Sequence, residues 1–266
     1  MPDLQPGGLL RLRADQLEHE LNLARQVQQS LLPSVLPQLP GVTLAAVNRP
    51  ARIVSGDLYD VITIDPDRLA VLVADVSGKG FPAALFASEM HAYVRASLRA
   101  ACVFNDTSLG PLPVQVVALL NDEATRLSRS GRYATIFFAE LDALERTLRY
   151  TNAGHNPPLL FGSPGEPVIE LTEGGPPVGL LEEASYDAGA VTVKDGASVL
   201  IYTDGAVEAR SPADEEFGLT RLIESYELHR GSPIKMRLAG VLQQILRCCG
   251  GREPDDDITL VGLSTE

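Results

Sequence analysis

Residues 55–80 read SGDLYDVITIDPDRLAVLVADVSGKG. They hold two β-rich runs, Asp57–Ile64 and Arg68–Val76, joined at Asp65-Pro66-Asp67. Proline presets the backbone for a turn, and aspartates bond their own backbone there, so the stretch predicts a tight connection between two strands. Asp57 stands where the first run begins and Asp75 where the second ends. Small, flexible residues then open a helix from Pro82 to about Ala101, with Ala83, Ala84 and Ala87 on one face.

Further along, the turn-rich NDTSLGPLP precedes a second predicted helix, about Val114 to Arg129. Strand-like runs follow at YATIFFAEL, RTLRYTN, PPLLFG, PVIEL, AVTVK and ASVLIYTD, then helical segments at about 219–229 and 234–249, and a last strand, DITLVGL. VTLAAV supplies a strand before the opening stretch. Strands thus come in two blocks with a helix pair between them. That segregation, with short turns such as Lys194-Asp195-Gly196, predicts mostly antiparallel sheets covered by helices rather than an alternating βαβ array.

Upstream, residues 9 to about 32 predict one long helix. Leu10, Leu17, Ala24 and Leu31 are seven apart, with Leu21 and Val27 in the alternate seam positions. Pro33, Pro37 and Pro40 end it. Such a pattern serves either an amphipathic helix folded onto its own domain or a short coiled coil between two chains. The division expected is residues 1–34 as a linker or dimerisation helix and 35–266 as the main domain.

The bulk numbers set outer bounds. A chain of 266 residues with 45% hydrophobic and 21% charged residues is ample for a packed core. Its 22 Lys+Arg against 35 Asp+Glu leave a net charge of −13, which excludes a general basic face for nucleic acid or anionic lipid. Cys102, Cys248 and Cys249 form no C-x-x-C pair and so predict neither a disulfide framework nor a zinc site. With no secretory or membrane-spanning apolar run, a cytoplasmic location is the expectation.

Chemistry concentrates in aspartates at strand ends. Besides Asp57 and Asp75, Asp204 ends SVLIYTD before Gly205, and Asp255-Asp256-Asp257 precede ITLVGL. Taken singly, each is a turn or cap residue. Together, four strands presenting carboxylates suit hard cations such as Mg²⁺ or Mn²⁺.

The motifs VSGDLYDV, ADVSGKGFPAAL, TNAGHNPPLL, GGPPVGL, LIYTDGAVEAR, FG and DDDITLV occur in this order. The series resembles the PPM (type 2C) protein phosphatases, and among them the bacterial SpoIIE/RsbU-like subgroup, over residues 35 to 266. The resemblance implies an α+β fold, a four-layer αββα sandwich of two mostly antiparallel sheets. It also implies a site for two divalent metal ions, Mn²⁺ or Mg²⁺, at one edge. In it Asp57 would bridge both ions, Asp75 and the carbonyl of Val76 would serve one, and Asp204 and Asp256 the other. The triple Asp leaves the register open to Asp257. Arg52, five residues before Asp57, is the phosphate-binding candidate by the same resemblance, against a plain surface arginine. The implied activity is hydrolysis of phosphoserine or phosphothreonine on a regulatory partner, typically an anti-anti-sigma protein with a STAS domain. A phosphatase fold that binds without turnover is the alternative.

Two departures from the wider family stand out. Asp75 is followed by Val76-Ser77 rather than Gly-His, so no histidine is offered as general acid, and Ser55 stands where the subgroup commonly has Gly. Lys79 reads as a surface residue at a helix start, His155 as structural, and His91 and His229 as ordinary. Other phosphate chemistries fail on spacing. No cysteine is followed six residues later by Arg, since those positions hold Ser108, Pro254 and Asp255. The P-loop pattern would need Gly where Val73 stands and Ser or Thr where Gly80 stands. Asp65-Pro66-Asp67 resembles an aspartyl-phosphate motif but is explained by its turn.

Overall fold

The computed structural model describes residues 6–104, 106–127 and 131–265. In chain order these form α1 (Pro6–Leu31), β1 (Val42–Arg49), β2 (Asp57–Thr63), β3 (Arg68–Val76), α2 (Phe81–Phe104), α3 (Leu112–Leu127), β4 (Ala134–Asp142), β5 (Thr147–Ala153) and β6 (Leu159–Phe161). There follow β7 (Ile169–Glu170), β8 (Gly174–Gly175), β9 (Gly189–Thr192), β10 (Ser198–Tyr202), α4 (Gly205–Glu208), α5 (Gly218–Leu228), α6 (Ile234–Cys248) and β11 (Ile258–Thr265). One sheet runs β1-β11-β10-β6-β7, the other β2-β3-β4-β5-β8 with β9 also on β5. Among the named strands only β5 and β8 pair in parallel.

Strand alternation builds the layers. Along β3, Leu69, Val71 and Val73 enter a core shared with Val199 and Ile201 of β10 and Val261 and Leu263 of β11, between the sheets. Ala70, Leu72 and Ala74, the other face of β3, pack under Ala83, Ala87 and Met90 of α2 and Val116, Val117 and Leu120 of α3. On the far side Leu200 and Tyr202 of β10 meet Leu222 and Tyr226 of α5 and Leu238 and Val241 of α6. Both faces of the central strands are covered, which is why LAVLVA is apolar at successive positions. The result is the expected αββα sandwich.

The differences from the expected elements are small and physical. Helix α2 runs on to Phe104, and α3 starts at Leu112. The end once expected at Arg129 lies outside the described residues, as does the side chain of Leu10. β8 is a pair of glycines with no side-chain pattern to read, and α4 is a single turn. Further along α1, Leu17, Leu23 and Val27 are exposed. No described helix is long and apolar enough to cross a membrane.

One buried charge ties α2 to its sheet. Asp60 of β2 is fully buried, and Arg95 donates to both its oxygens, from Nε at 2.8 Å and from the guanidinium at 3.0 Å. His91 Nε2 lies 3.0 Å from the same carboxylate. His91 is therefore not an ordinary helix residue: it is 8% exposed and part of this cluster. The neighbouring His and Arg hold the Asp60 carboxyl below its usual range against the opposing effect of burial. Asp60→Ala would leave the buried His91 and the half-exposed Arg95 without their shared partner, and is expected to cost about 3 kcal/mol of unfolding free energy by denaturant titration. A loss within about 0.5 kcal/mol, the range of an ordinary surface change, would contradict the clamp.

Candidate metal centre

The β2–β3 ladder places Asp57 directly opposite Asp75. Asp57 is 4% exposed, and its Oδ2 accepts bonds from two hydroxyls of the other sheet's strands and their ends, Thr203 Oγ1 at 2.8 Å and Thr259 Oγ1 at 2.6 Å. These bonds bolt the two sheets together at the edge where the carboxylates gather. Thr259 N–H in turn donates to Thr203 Oγ1 at 2.9 Å, and Asn48 Nδ2 donates to Thr259 Oγ1 at 2.9 Å.

Asp204 follows β10 and leads into α4, and Asp256 and Asp257 lead into β11, which pairs with β10. Glycine permits the close approach. A Cβ on Gly205 would sit 2.0 Å from the carbonyl oxygen of Asp257, which no side chain could survive. At Gly56 a Cβ would lie 3.3 Å from the carbonyl oxygen of Val76, so the Val76 backbone faces the loop that carries Asp57.

The structure separates the roles of Asp256 and Asp257. Asp257, 9% exposed, accepts from Ala51 N–H at 2.7 Å on Oδ1, and from Gly56 N–H at 2.7 Å and Ser55 Oγ at 2.8 Å on Oδ2. Both of its oxygens are thus spent on the 51–56 loop. Ser55 Oγ also accepts from Asp57 N–H at 3.1 Å, so the serine standing for glycine is a working link between Asp57 and Asp257. Asp256 instead turns to Lys79, with Nζ 2.5 Å from its Oδ2. The reading of Lys79 as a plain surface residue is corrected: it is partly exposed, yet its ammonium sits on the carboxylate cluster.

The acids act on one another electrostatically. Burial, then the charges of Asp204, Asp256 and Asp257, push the Asp75 carboxyl up to about 7, with Lys79 acting in the opposite direction. Burial and the facing Asp75 raise Asp57 well above the ordinary carboxylate range, against the Thr259 and Thr203 bonds that favour its charged form. Burial, Glu208 and Asp256 raise Asp204. Carboxylates so placed repel each other, and among the described residues no three His, Cys, Asp or Glu side chains close into a finished cation cage. Their all-oxygen donor set nevertheless suits Mg²⁺ or Mn²⁺, whose charge would let every member ionise.

Arg52 is exposed on the same 51–56 loop, near enough for its charge to act on Lys79. His155 is buried, bonded through Nδ1 to Thr135 Oγ1 at 2.9 Å beside Asp75 on the next strand, and pulled down to about 4 by burial, which keeps it neutral rather than a proton donor to the site. His229 holds Ser225 O at 2.9 Å through Nδ1. The sequence reading missed Gln28 of α1. Its amide clasps the backbone of Ser55, donating to the carbonyl at 2.6 Å and accepting from the N–H at 2.9 Å. Nothing in the heptad spacing marks a glutamine as a contact to a loop 27 residues on; only its place on the helix face turned to the domain could have done so.

Comparison with known proteins places this geometry in context. The family model described as "Stage II sporulation protein E (SpoIIE)" matches residues 65–266. Protein IcfG of Synechocystis sp. is 33% identical over 263 residues, covering 92% of this chain and 41% of IcfG. Phosphoserine phosphatase RsbU of Bacillus subtilis is 27% identical over 256 residues, covering 96% of this chain and 72% of RsbU. The chain therefore spans less than half the length of IcfG. Among solved structures, the SiaA-PP2C domain of Pseudomonas aeruginosa superposes with a TM-score of 0.79 at 22% identity, covering 96% of this chain and 99% of that domain. The family model's match over three quarters of the chain is decisive: the chain belongs to the SpoIIE family.

Proposed function

We propose that this protein is a metal-dependent serine/threonine phosphatase that hydrolyses phosphoserine or phosphothreonine on a regulatory partner protein. The observation that carries the reading is the convergence of four strand-end aspartates from both sheets. In support, RsbU and RsbP of Bacillus subtilis are phosphoserine phosphatases, and the phosphatase PstP, a neighbour of this fold at TM-score 0.58 and 16% identity, carries two manganese ions.

On this reading Asp57, Asp75, the Val76 carbonyl, Asp204 and Asp256 would hold two divalent ions. Two divalent ions would supply an activated water and neutralise charge on phosphorus during in-line attack. The chain's own residues hold and orient that machinery. Thr203 and Thr259 fix one oxygen of Asp57, leaving the other to face the site. Asp257 is a loop clamp rather than a ligand, because its oxygens already accept three bonds. Arg52 would meet the phosphoryl oxygens from the rim, where its planar donors suit a tetrahedral anion. The partner would be an anti-anti-sigma protein of STAS type, the class implied by the family resemblance.

Residues 1–34 would form a regulatory linker, with 35–266 as the catalytic domain. The exposed Leu17, Leu23 and Val27 suit pairing of α1 with its copy in a homodimer, while Gln28 ties the same helix to the loop before Asp57. Light scattering at micromolar concentration is expected to show a dimer for the full chain and a monomer for residues 35–266. A monomer in both cases would remove the dimer.

Activity has a direct test. Hydrolysis of p-nitrophenyl phosphate or a phosphopeptide is expected with Mn²⁺, to vanish with EDTA, and to fall about 100-fold or more in Asp204→Asn, since even groups supporting a metal ligand typically cost 10–100-fold. No turnover with any divalent ion would favour the same fold acting as a silent binding module.

The raised Asp75 sets a pH dependence for the metal-free protein. Its folded-state value of about 7 exceeds the ordinary 3.8, so between those values the folded chain keeps a proton that the unfolded chain has lost. Stability is then present at low pH and lost as pH rises through about 7. In EDTA the melting temperature should fall from about pH 5 to about pH 8, with a slope of at most about 1.4 kcal/mol per pH unit from this group. Asp75→Asn should flatten that fall; an unchanged slope would contradict the assignment.

A further inference from the structure

Lys79 stands between two glycines with left-handed backbones, Gly78 at φ 94° and Gly80 at φ 77°, in the turn that leads from β3 to α2. That turn swings its side chain back over the site. Nζ is 2.5 Å from Asp256 Oδ2 and donates to the carbonyl of Asp255 at 3.1 Å. Its positive charge also reaches Asp75 and Asp204. A single ammonium therefore serves three of the four converging carboxylates. Asp57, the fourth, is met by the neutral hydroxyls of Thr203 and Thr259 instead.

Two features separate this contact from a structural ion pair. The Lys79 side chain is 46% exposed, so its ammonium can return to water without a large desolvation penalty. The Asp60–Arg95 pair shows the contrast on the acid side: Arg95 is as exposed as Lys79, but its carboxylate is wholly buried and gripped at both oxygens. Asp256 is also more exposed than Asp57 or Asp257. An accessible cation on an accessible carboxylate is readily exchanged.

We propose that Lys79 is a resident, displaceable counter-ion of the carboxylate cluster, which a divalent ion must move off Asp256 before it binds on the Asp204–Asp256 side. The inference rests on the metal-centre reading above and adds a residue that sets the affinity of one half of it. Competition of this kind keeps that half weakly bound and makes its filling depend on the free ion concentration. It also frees the ammonium at the rim of the site when the ion arrives.

Isothermal titration of the full chain with Mn²⁺ alone, after EDTA treatment and at low ionic strength, tests this without relying on turnover. Lys79→Met keeps the apolar stem and removes the charge. It is expected to tighten the weaker Mn²⁺ binding step about tenfold, equivalent to about 1.4 kcal/mol. Lys79→Arg, which keeps the charge, should leave that step no tighter than in the unaltered chain. The gain in Lys79→Met should shrink in about 1 M salt, where charges on the rim are screened within about 3 Å. Equal or weaker binding by a Lys79→Met protein with an unchanged circular dichroism spectrum would overturn the proposal and leave the metal centre standing. Absence of Mn²⁺ binding in the unaltered chain and in both variants would overturn the metal centre as well.

Discussion

Two threonine hydroxyls on one buried carboxylate hold the working edge of this protein together. Asp57 begins the edge strand of one sheet, while Thr203 directly follows β10 and Thr259 lies in β11, adjacent strands of the other. Sheet stacking by apolar side chains is non-directional and would tolerate some sliding of one sheet over the other. Charge-assisted bonds at 2.6 and 2.8 Å do not tolerate it. They fix the relative position of the sheets where a shift of an ångström would matter most. The same bonds favour ionised Asp57, opposing the burial and like charge that favour its protonated form.

Around that bolt the loop before Asp57 is tied down from three directions. Asp257 holds it through Ala51, Ser55 and Gly56, Ser55 passes a bond on to Asp57, and Gln28 grips Ser55 from the N-terminal helix. The loop is also where Arg52 sits. Helix α1 is thus coupled to the first carboxylate through one residue. On the other side, Asp60 with His91 and Arg95 sets how α2 lies on β2, three residues along the strand from Asp57. Loop and helix are both anchored through buried polar contacts, which are specific in geometry and costly to leave half-made.

Much of this was legible in the residues. The Asp65-Pro66-Asp67 turn between two β-rich runs forces a hairpin, and a hairpin of that register sets Asp57 against Asp75. The segregated strands and helices predict antiparallel sheets covered by helices, the family resemblance implies their αββα layering, and the glycines beside Asp57 and Asp204 mark where backbones approach closely. What stayed hidden was side-chain partnership across long separations. Asp60 looked like any polar residue of a strand, His91 like any helix residue, and Lys79 like a solvated lysine, because pairing depends on the packed layers and not on local pattern. Asp256 and Asp257 are indistinguishable by type; only the bonds from Ala51, Ser55 and Gly56 to one, and from Lys79 to the other, tell them apart. The bolt of Thr203 and Thr259 was equally out of reach, since its members lie 146 and 202 residues from Asp57.

The central claim is that Asp57, Asp75, Asp204 and Asp256 surround a common cation site while Asp257 stays on its loop. Anomalous diffraction from crystals soaked in Mn²⁺ addresses it most directly. The account predicts manganese peaks enclosed by those four carboxylates, with Asp256 moved off Lys79 and Asp257 still bonded to Gly56. Peaks coordinated through Asp257, or no manganese at this edge of the sandwich, would contradict it.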